Sequence, residues 1–152
     1  MQPIKKIITI KKAKSSQDLI KENVPKYLNQ ILHVNLQTHG YGTFKKRWIS
    51  SAEDLTFSFV VTKDATHRMM LIRLSMILYK TLSFFKEDCL IKPPNDIHTK
   101  KGKLAGILIE EITLNHDTYW VCGIGINRSL KSDSPFKSDA LKREFTKKEI
   151  LD

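Results

Sequence analysis

The sequence contains little cysteine, no long apolar run and no internal repeat. Its two cysteines, Cys89 and Cys122, lie far apart without the close spacing of a metal site, so we expect buried, reduced thiols. No segment approaches the ~18 apolar residues that a membrane span requires, and no cleavable apolar core follows the basic N-terminus. These absences argue against disulfide-rich secreted proteins and membrane-spanning proteins, and we expect a soluble, cytoplasmic protein.

Acidic residues are scarce relative to basic ones. The 152 residues include 26 Lys plus Arg against 16 Asp plus Glu, a formal net charge of +10, and 41% of them are hydrophobic. This size and composition are typical of one globular domain and argue against disorder. The basic excess favours polyanionic partners such as nucleotides, nucleic acids or acidic proteins. Lysines that only keep a surface soluble would give the same total, so composition leaves both explanations open.

The first part of the chain predicts a strand followed by helical segments. Lysines alternate with β-branched residues from Ile4 to Lys12, a pattern typical of an edge strand protected by charge; a basic arm for nucleic acid is the alternative. Apolar residues then recur at helical spacing from Ile20 to Ile31. Ser15 or Ser16 precedes this pattern as a candidate N-cap, and Pro25 predicts a kink or the first turn of a second helix.

Two longer apolar patterns follow in the middle of the chain. Alternation from Leu55 to Val61 predicts a strand with one solvated face. From His67 to Phe85 the apolar residues form a wide stripe at helical spacing. This stripe predicts a helix that is buried on most sides against a sheet, with Asp64 or Thr66 as its cap.

The last third of the chain predicts a hairpin and a final helix. Residues 106–113 and 118–126 form two strand patterns, and the turn-forming residues 115–117 join them. A polar linker follows. The charged, amphipathic pattern from Asp139 to Leu151 then predicts a helix.

The stretch from Lys92 to Glu110 concentrates charge, turn residues and an apolar strand. Lys92 lies directly before two prolines, which keep the backbone extended, and a turn-forming Asn-Asp pair follows them. A lysine-rich loop then leads into an apolar strand with Gly106 in its middle. A glycine inside a strand marks a place where a ligand or another backbone comes close. The stretch therefore suits an anionic, partly apolar ligand.

This stretch resembles the biotin protein ligases, whose signature here is usually Lys-Trp-Pro-Asn-Asp followed by Lys-Leu-Ala-Gly-Ile-Leu-x-Glu. Pro93 stands in place of the Trp. The matching residues are Lys92, Pro94, Asn95, Asp96, Lys103 to Leu108 and Glu110.

Three further segments agree with the same family in chain order. Ser15, Ser16 and Gln17 stand where the ligases have Ser-Thr-Asn. The family loop Gln-Thr-x-Gly-Arg-Gly-Arg-x-Gly-Arg-x-Trp is matched at Gln37, Thr38, Gly40, Gly42 and Trp48. Tyr41 and Thr43 replace arginines in that loop, and Lys45 replaces a glycine. The strand that ends at Asn127 is the last match.

Each motif has an ordinary structural explanation when taken alone. Ser15 and Ser16 can simply cap a helix, and Asn127 can form a turn. Lys92 and Asp96 can form a surface ion pair, which contributes well under ~1 kcal/mol. The order and spacing of all the motifs along nearly the whole chain favour the functional interpretation.

The resemblance implies a fold and a reaction. The fold is α+β, a mixed, largely antiparallel sheet with helices packed on one face, like class II aminoacyl-tRNA synthetases and the biotin–lipoate ligases. The reaction joins biotin and ATP into biotinyl-5′-AMP and pyrophosphate, and a lysine of a biotin carboxyl carrier protein, the carrier domain of acetyl-CoA carboxylase, then takes the biotinyl group. No Ser-His-Asp or Cys-His set is needed for such a reaction, and the sequence shows none.

The resemblance also implies roles for individual residues. Lys92, Lys103 and Asp96 are the candidate catalytic residues. The candidate biotin-binding residues are Ser15, Ser16, Gln17, Gln37, Gly40, Tyr41, Gly42, Lys92, Leu104, Gly106 and Ile107. The candidate adenylate-binding residues are Lys45, Lys46, Arg47, Trp48, Asn95 and Asn127. The neighbouring cations at 45–47 are expected to replace the missing loop arginines, and Mg²⁺ is expected through the phosphates with Asp96 as its possible protein ligand.

Two alternatives remain at this point. A lipoate or octanoate ligase or transferase shares the fold, although its usual Arg-Arg-x-x-Gly-Gly-Gly segment is absent. A non-enzymatic relic that binds biotin or nucleic acid is suggested by the lost loop arginines. We expect one catalytic domain over residues 1–152, without the family's DNA-binding or small C-terminal SH3-like domain, acting as a monomer or homodimer without DNA.

Overall fold

The computed structural model describes residues 4–63, 69–86, 88–132 and 137–141. These residues form seven strands, three α-helices and a short 3-10 turn. In chain order the elements are β1 (Lys6–Ala13), α1 (Ser16–Glu22), α2 (Val24–Tyr27), β2 (Gln30–Gln37), the 3-10 turn (Thr43–Lys45), β3 (Leu55–Thr62), α3 (Met70–Phe85), β4 (Leu90–Lys92), β5 (Asp96–Thr99), β6 (Gly102–Leu114) and β7 (Asp117–Ile126).

All seven strands belong to one sheet, in the order β1-β2-β3-β7-β6-β5-β4. The outermost pair, β1 and β2, is parallel, and every other neighbouring pair is antiparallel. The predicted α+β fold with a mixed, largely antiparallel sheet is therefore confirmed. The lysine-bearing β1 lies at one edge, as its alternating pattern predicted.

The helices cover both faces of this sheet, which differs from the expected packing on one face. Val60 of β3 packs with Ile20 and Val24 of the N-terminal helices, whereas the adjacent Phe59 belongs to the cluster that contains Leu82 of α3. Successive side chains of a strand point to opposite faces, so the apolar residues on both sides of β3 need cover. For the same reason β3 has no solvated face: its residues from Leu55 to Val61 are all buried.

The N-terminal helices begin where the sequence predicts. Ser15 caps α1, and its Oγ accepts a hydrogen bond from Asp18 N at 3.3 Å. Asn23 separates the two helices and caps α2, with Pro25 in the first turn. Because proline lacks the N–H that a first turn leaves unpaired anyway, the residue is tolerated there.

The burial of α3 is narrower than its wide apolar stripe predicts. Met70, Leu78 and Leu82 are buried, but Ile72 and Met76 are each 48% exposed and Ile77 is 60% exposed. The prediction of a helix buried on most sides is wrong, because α3 contacts the sheet along one stripe only, against β4, β5 and β6. The predicted caps Asp64 and Thr66 lie outside the described residues.

The hairpin of β6 and β7 turns at Asn115 and His116, which both have positive φ values, 50° and 71°. Such values are typical of the two-residue turns whose twist matches antiparallel strands.

Beyond the sheet, Lys103 N donates to Lys137 O and Asp139 N to Lys103 O, both at 2.9 Å. Residues 137–141 are therefore extended against β6, so the predicted final helix does not begin at Asp139; its remainder lies outside the described residues.

None of the helices in the described ranges is long and apolar enough to cross a membrane.

Candidate active site

A cleft of about 790 Å³ lies on the sheet face that carries α1. Its floor is formed by the central strands β3, β7 and β6, where Thr56, Ser58 and three glycines leave room above the sheet. The segment from Gln37 to Trp48 and the turn between β4 and β5 also line the cleft. The cleft therefore brings together segments from all the motifs that the sequence pattern singled out.

Three glycines make this floor possible. Gly106 and Gly125 are directly paired across β6 and β7, and Gly123 lies opposite Ser58 of β3. A Cβ at Gly123 would lie 2.7 Å from Gln17 Oε1, and a Cβ at Gly125 would overlap the indole of Trp48. The glycines thus let two side chains from other elements lie directly on the sheet.

One end of the cleft, beneath α1, is polar and internally hydrogen-bonded. Gln17 Nε2 donates to Val121 O at 2.8 Å, and Ser58 Oγ donates to Gln17 Oε1 at 3.1 Å. Ser16 Oγ lies 2.8 Å from Ser58 Oγ. Its backbone N donates to Gln37 Oε1 at 2.7 Å. The side chains are almost fully buried, so this end, called the polar end below, is a fixed arrangement of donors and acceptors.

The other end is rich in cations. Among the described residues, Asp96 is the one carboxylate that lines the cleft. The cationic residues that line it are Lys46, Arg47, Lys92, Lys100, Lys101, Lys103, Lys131 and Lys137. Long-range attraction between this group, called the cationic end below, and a phosphate-bearing ligand follows from the excess of positive charge.

The predicted catalytic residues converge at the cationic end. Lys103 Nζ lies 2.7 Å from Asp96 Oδ1 and 5.5 Å from the centroid of the Trp48 ring. Lys92, at the end of β4, lines the same space. His98 lies beside them, with Nε2 3.8 Å from Asp96 Oδ2. Burial, with help from the nearby Lys92 and Lys103, lowers the pKa of His98, so its ring is neutral at pH 7.

Trp48 covers the middle of the cleft. Its backbone N donates to Gly40 O at 2.9 Å, and a Cβ at Gly40 would lie 3.0 Å from Trp48 O. The indole Nε1 is buried and has no hydrogen-bond partner among the described residues. An aromatic face next to a lysine and above a glycine floor is a suitable surface for a flat ring.

Both predicted asparagines lie at the cleft, and their side-chain amides donate hydrogen bonds to backbone carbonyls of this chain. Asn95 Nδ2 donates to Ile107 O at 2.7 Å and lies 3.2 Å from Thr43 Oγ1. Asn127 Nδ2 donates to Lys103 O at 3.0 Å. These amides hold the β4–β5 turn and the start of β6 in place, a role that the motif alone does not reveal.

Some predicted site residues lie elsewhere. Lys45 is not among the residues that line the cleft, and its Nζ lies 3.4 Å from Glu110 Oε1. Leu104 is fully buried in the core. Lys46, Arg47, Tyr41, Gly42, Gly106 and Ile107 all line the cleft, as expected from the motifs.

Sequence reasoning missed Ser58 and His98. Ser58 lies in the alternating strand pattern whose polar positions suggested a solvated face, and that pattern was the available signal. His98 follows the Asn-Asp turn by two residues and carries no motif of its own. Its place next to the lysines of the cleft becomes visible only in the sheet, where the pairing of β5 with β6 sets His98 opposite Lys103.

Comparison with models of known protein families identifies the family of this chain. The model described as "Biotin/lipoate A/B protein ligase family" matches residues 9–127. The chain belongs to this family. Comparison with curated protein sequences gives no match.

Solved structures of this family have the same fold. A biotin protein ligase from Aquifex aeolicus in complex with biotin and ATP is 27% identical, with a TM-score of 0.76 over 97% of this chain and 66% of that protein. The Helicobacter pylori biotin acetyl coenzyme A carboxylase synthetase with bound biotinylated ATP is 21% identical, with a TM-score of 0.77 over 96% and 69%. A Leishmania major biotin protein ligase in complex with biotin is 16% identical, with a TM-score of 0.76 over 99% and 71%. This chain therefore spans about two thirds of the length of the Aquifex ligase.

Proposed function

We propose that this chain activates biotin with ATP to biotinyl-5′-AMP and transfers the biotinyl group to a lysine of a biotin carboxyl carrier protein. The observation that carries the proposal is the cleft itself, in which a polar end and a cationic end face each other across a glycine floor. Biotin has a polar ring at one end and a carboxylate at the other. The family match and the 27% identical Aquifex ligase, whose complex contains biotin and ATP, support the same assignment.

The polar end supports biotin rather than lipoate as the substrate. The ureido ring of biotin both donates and accepts hydrogen bonds, and the polar end offers hydroxyl and amide groups from Ser16, Gln17 and Ser58. The dithiolane of lipoate cannot match such groups. A buried polar end that met only an apolar ring would leave hydrogen-bonding groups unpaired, which costs about 1–3 kcal/mol for each group.

The first step takes place at the cationic end. A carboxylate oxygen of biotin attacks the α-phosphorus of ATP, and the bond to the bridging oxygen breaks to release pyrophosphate. Lys92 lies closest to the carboxylate and the α-phosphate oxygens in this proposal, and Lys103, oriented by Asp96, is the second cation. Charge neutralisation by such groups and the alignment of the two reactants supply the catalysis.

The second step needs no covalent bond to this chain. The neutral amine of a carrier lysine attacks the carbonyl carbon of the mixed anhydride, AMP leaves, and the nitrogen loses its proton. The formal charge of +10 favours an acidic carrier domain as the protein partner.

Mg²⁺ fits this site as an ion that arrives with the nucleotide. Among the described residues no three His, Cys, Asp or Glu side chains form a metal-binding group. Asp96 is the carboxylate within the cleft, and it is already paired with Lys103. The ion would therefore be held mainly by phosphate oxygens, where it neutralises negative charge.

The test is incubation of the protein with biotin, ATP and Mg²⁺, followed by mass spectrometry for biotinyl-5′-AMP. Parallel reactions with lipoate or octanoate, and with biotin but without ATP, are the controls. We expect adenylate formation with biotin and ATP only. An adenylate formed with lipoate and not with biotin would show that the substrate is misassigned, and no adenylate with any acid would contradict an enzymatic role.

A further inference from the structure

The Tyr41 hydroxyl is the centre of a hydrogen-bonded cluster beside the polar end. It donates to Asp18 Oδ1 at 2.6 Å, accepts from Lys21 Nζ at 2.7 Å, and lies 3.0 Å from Glu110 Oε2. Lys21 Nζ also lies 3.0 Å from both carboxylates. One phenol therefore connects the loop to α1 and to β6.

Lys45 makes this cluster electrically neutral. Its Nζ lies 3.4 Å from Glu110 Oε1 and 3.7 Å from the centroid of the Tyr41 ring, so two ammonium groups face two carboxylates. The Lys45 side chain is 67% exposed, and solvent screens its contribution. Lys21 and Glu110 are each 24% exposed, so their interaction is screened less.

The protonation of the cluster favours strong hydrogen bonds at neutral pH. Burial alone would raise the pKa of Glu110, but the hydrogen bonds from Lys21 and Tyr41 outweigh it and lower that pKa. Burial likewise opposes the charge on Lys21, yet its hydrogen bonds to Tyr41, Asp18 and Glu110 raise its pKa overall. Both partners are therefore charged, and hydrogen bonds between charged groups are stronger than neutral ones.

The loop attached to Tyr41 is itself hydrogen-bonded. Gly42 N donates to Lys46 O at 2.8 Å, and Trp48 N donates to Gly40 O at 2.9 Å. An isolated bridge pairs Tyr41 with Arg47. Whatever holds Tyr41 in place consequently also holds the Trp48 side of the cleft.

We propose that Tyr41 and Lys21 are positioning residues that hold the segment 40–48 against α1 and β6. Lys21 of α1 provides the positive charge. The neutral phenol of Tyr41, which belongs to the loop, hydrogen-bonds to Lys21 and so ties the loop to the helix. In the family pattern an arginine occupies position 41; in this chain its cation would stand beside Lys21 and Lys45.

Limited proteolysis of the free protein tests this proposal. Trypsin cuts after Lys45, Lys46 and Arg47, and cutting within a structured loop requires that the loop opens. Tyr41→Phe keeps the ring but removes the hydroxyl, and we expect loop cleavage about tenfold faster, as the loss of a hydrogen bond to charged groups predicts. Tyr119→Phe is the matched control, since that hydroxyl lies at an exposed site near Asp117, and it should be cleaved at the wild-type rate. Cleavage of Tyr41→Phe at the wild-type rate would overturn the proposal.

A charge-exchange cycle distinguishes positioning from simple packing. Tyr41→Arg alone should open the loop, because it places a third cation against the two carboxylates. Chymotrypsin cleavage after Phe44 is the measurement for this cycle, since the introduced arginine would itself be a trypsin site. The double variant Tyr41→Arg/Lys21→Ala should restore slow cleavage, since two cations, the introduced arginine and Lys45, again face the two carboxylates. If the Tyr41 ring acted only by packing, both variants would be cleaved fast, and that outcome would contradict the positioning role.

The consequence for ligand binding rests on the proposed function. If only part of the free Tyr41→Phe protein has a closed loop, the apparent affinity falls by that fraction. We expect the KM for biotin to rise several-fold while kcat changes little, in contrast to a catalytic residue. Should no variant bind biotin at all, the proposed function fails, but the proteolysis result still decides whether the cluster holds the loop.

Discussion

Beneath α1 the cleft ends in short side chains that hydrogen-bond one another, whereas at the β4–β5 turn it ends in long lysines around a single carboxylate. Gln17 and Ser58 are almost fully buried and can make their contacts in few geometries. The lysines act through their charge, and the effect of charge depends less on exact position. The difference teaches that one molecule can be recognised by shape at one end and by electrostatic attraction at the other.

Asp54 is a buried anchor of the cationic end, and its loss should give the largest change in stability. Asp54 is 0% exposed; it forms an ion pair with Lys131 and accepts hydrogen bonds from Arg128 N at 2.9 Å and Ser51 N at 2.7 Å. We expect Asp54→Ala to lower the free energy of unfolding by about 3–5 kcal/mol, because Lys131 is left buried without its partner. Urea unfolding measures this change.

A second substitution makes the result specific. Asp54→Ala combined with Lys131→Met should recover part of the loss, since no unpaired charge remains. If the double variant were no more stable than Asp54→Ala, the backbone hydrogen bonds of Asp54 would account for the whole effect.

Removing one lysine of the cationic end should affect the reaction more than the fold. Lys92→Ala is expected to lower the rate of adenylate formation by about 10²–10³-fold, the usual effect of losing one group that stabilises developing charge. Thermal unfolding should change little. The exposed Lys11 of β1 provides the control substitution, Lys11→Ala, which should keep the full rate. A Lys92→Ala protein with unchanged rate would remove Lys92 from the proposed mechanism.

At the polar end a single methyl group should be enough to disturb recognition. Gly123→Ala places a Cβ 2.7 Å from Gln17 Oε1, and crowding of this kind costs about 1–3 kcal/mol. We expect a lower unfolding temperature and weaker biotin binding by calorimetry. Gly42→Ala, whose Cβ would have its nearest neighbour at 3.9 Å, is the stability control. Equal unfolding temperatures for the two variants would show that Gln17 moves aside freely.

The smallest expected effect is a pH dependence at the cationic end. Because the pKa of His98 is lowered in the folded protein, the unfolded chain binds the proton more readily, and protonation favours unfolding. Stability from this residue is therefore present above pH ~6.5, the ordinary histidine value, and is lost as the pH falls below it. Thermal unfolding between pH 8 and 5 should show a shallow decline that His98→Gln abolishes. His116→Gln, at the exposed hairpin turn, should leave the decline in place.

Local patterns predicted most of the elements. The cap at Ser15, the helix start at Pro25 and the hairpin at 115–116 depend on residues close in the chain, so the sequence contained them in full. The same holds for the order of the motifs that identify the family. The burial of α3 was not predictable in this way, because an apolar stripe does not say how many neighbours will cover it.

The sequence by itself determined the strands, the turns and the residue types that meet a biotin-like and a nucleotide-like ligand. Only the tertiary structure decided which of them meet, as in Gln17 resting on Gly123 and Lys21 reaching Tyr41 and Glu110. In the folded chain His98 lines the cleft, whereas Lys45 lies at Glu110 and is not among the lining residues. The physical reason is that strand register and sheet order set distances between residues far apart in the chain, and no local pattern encodes those distances.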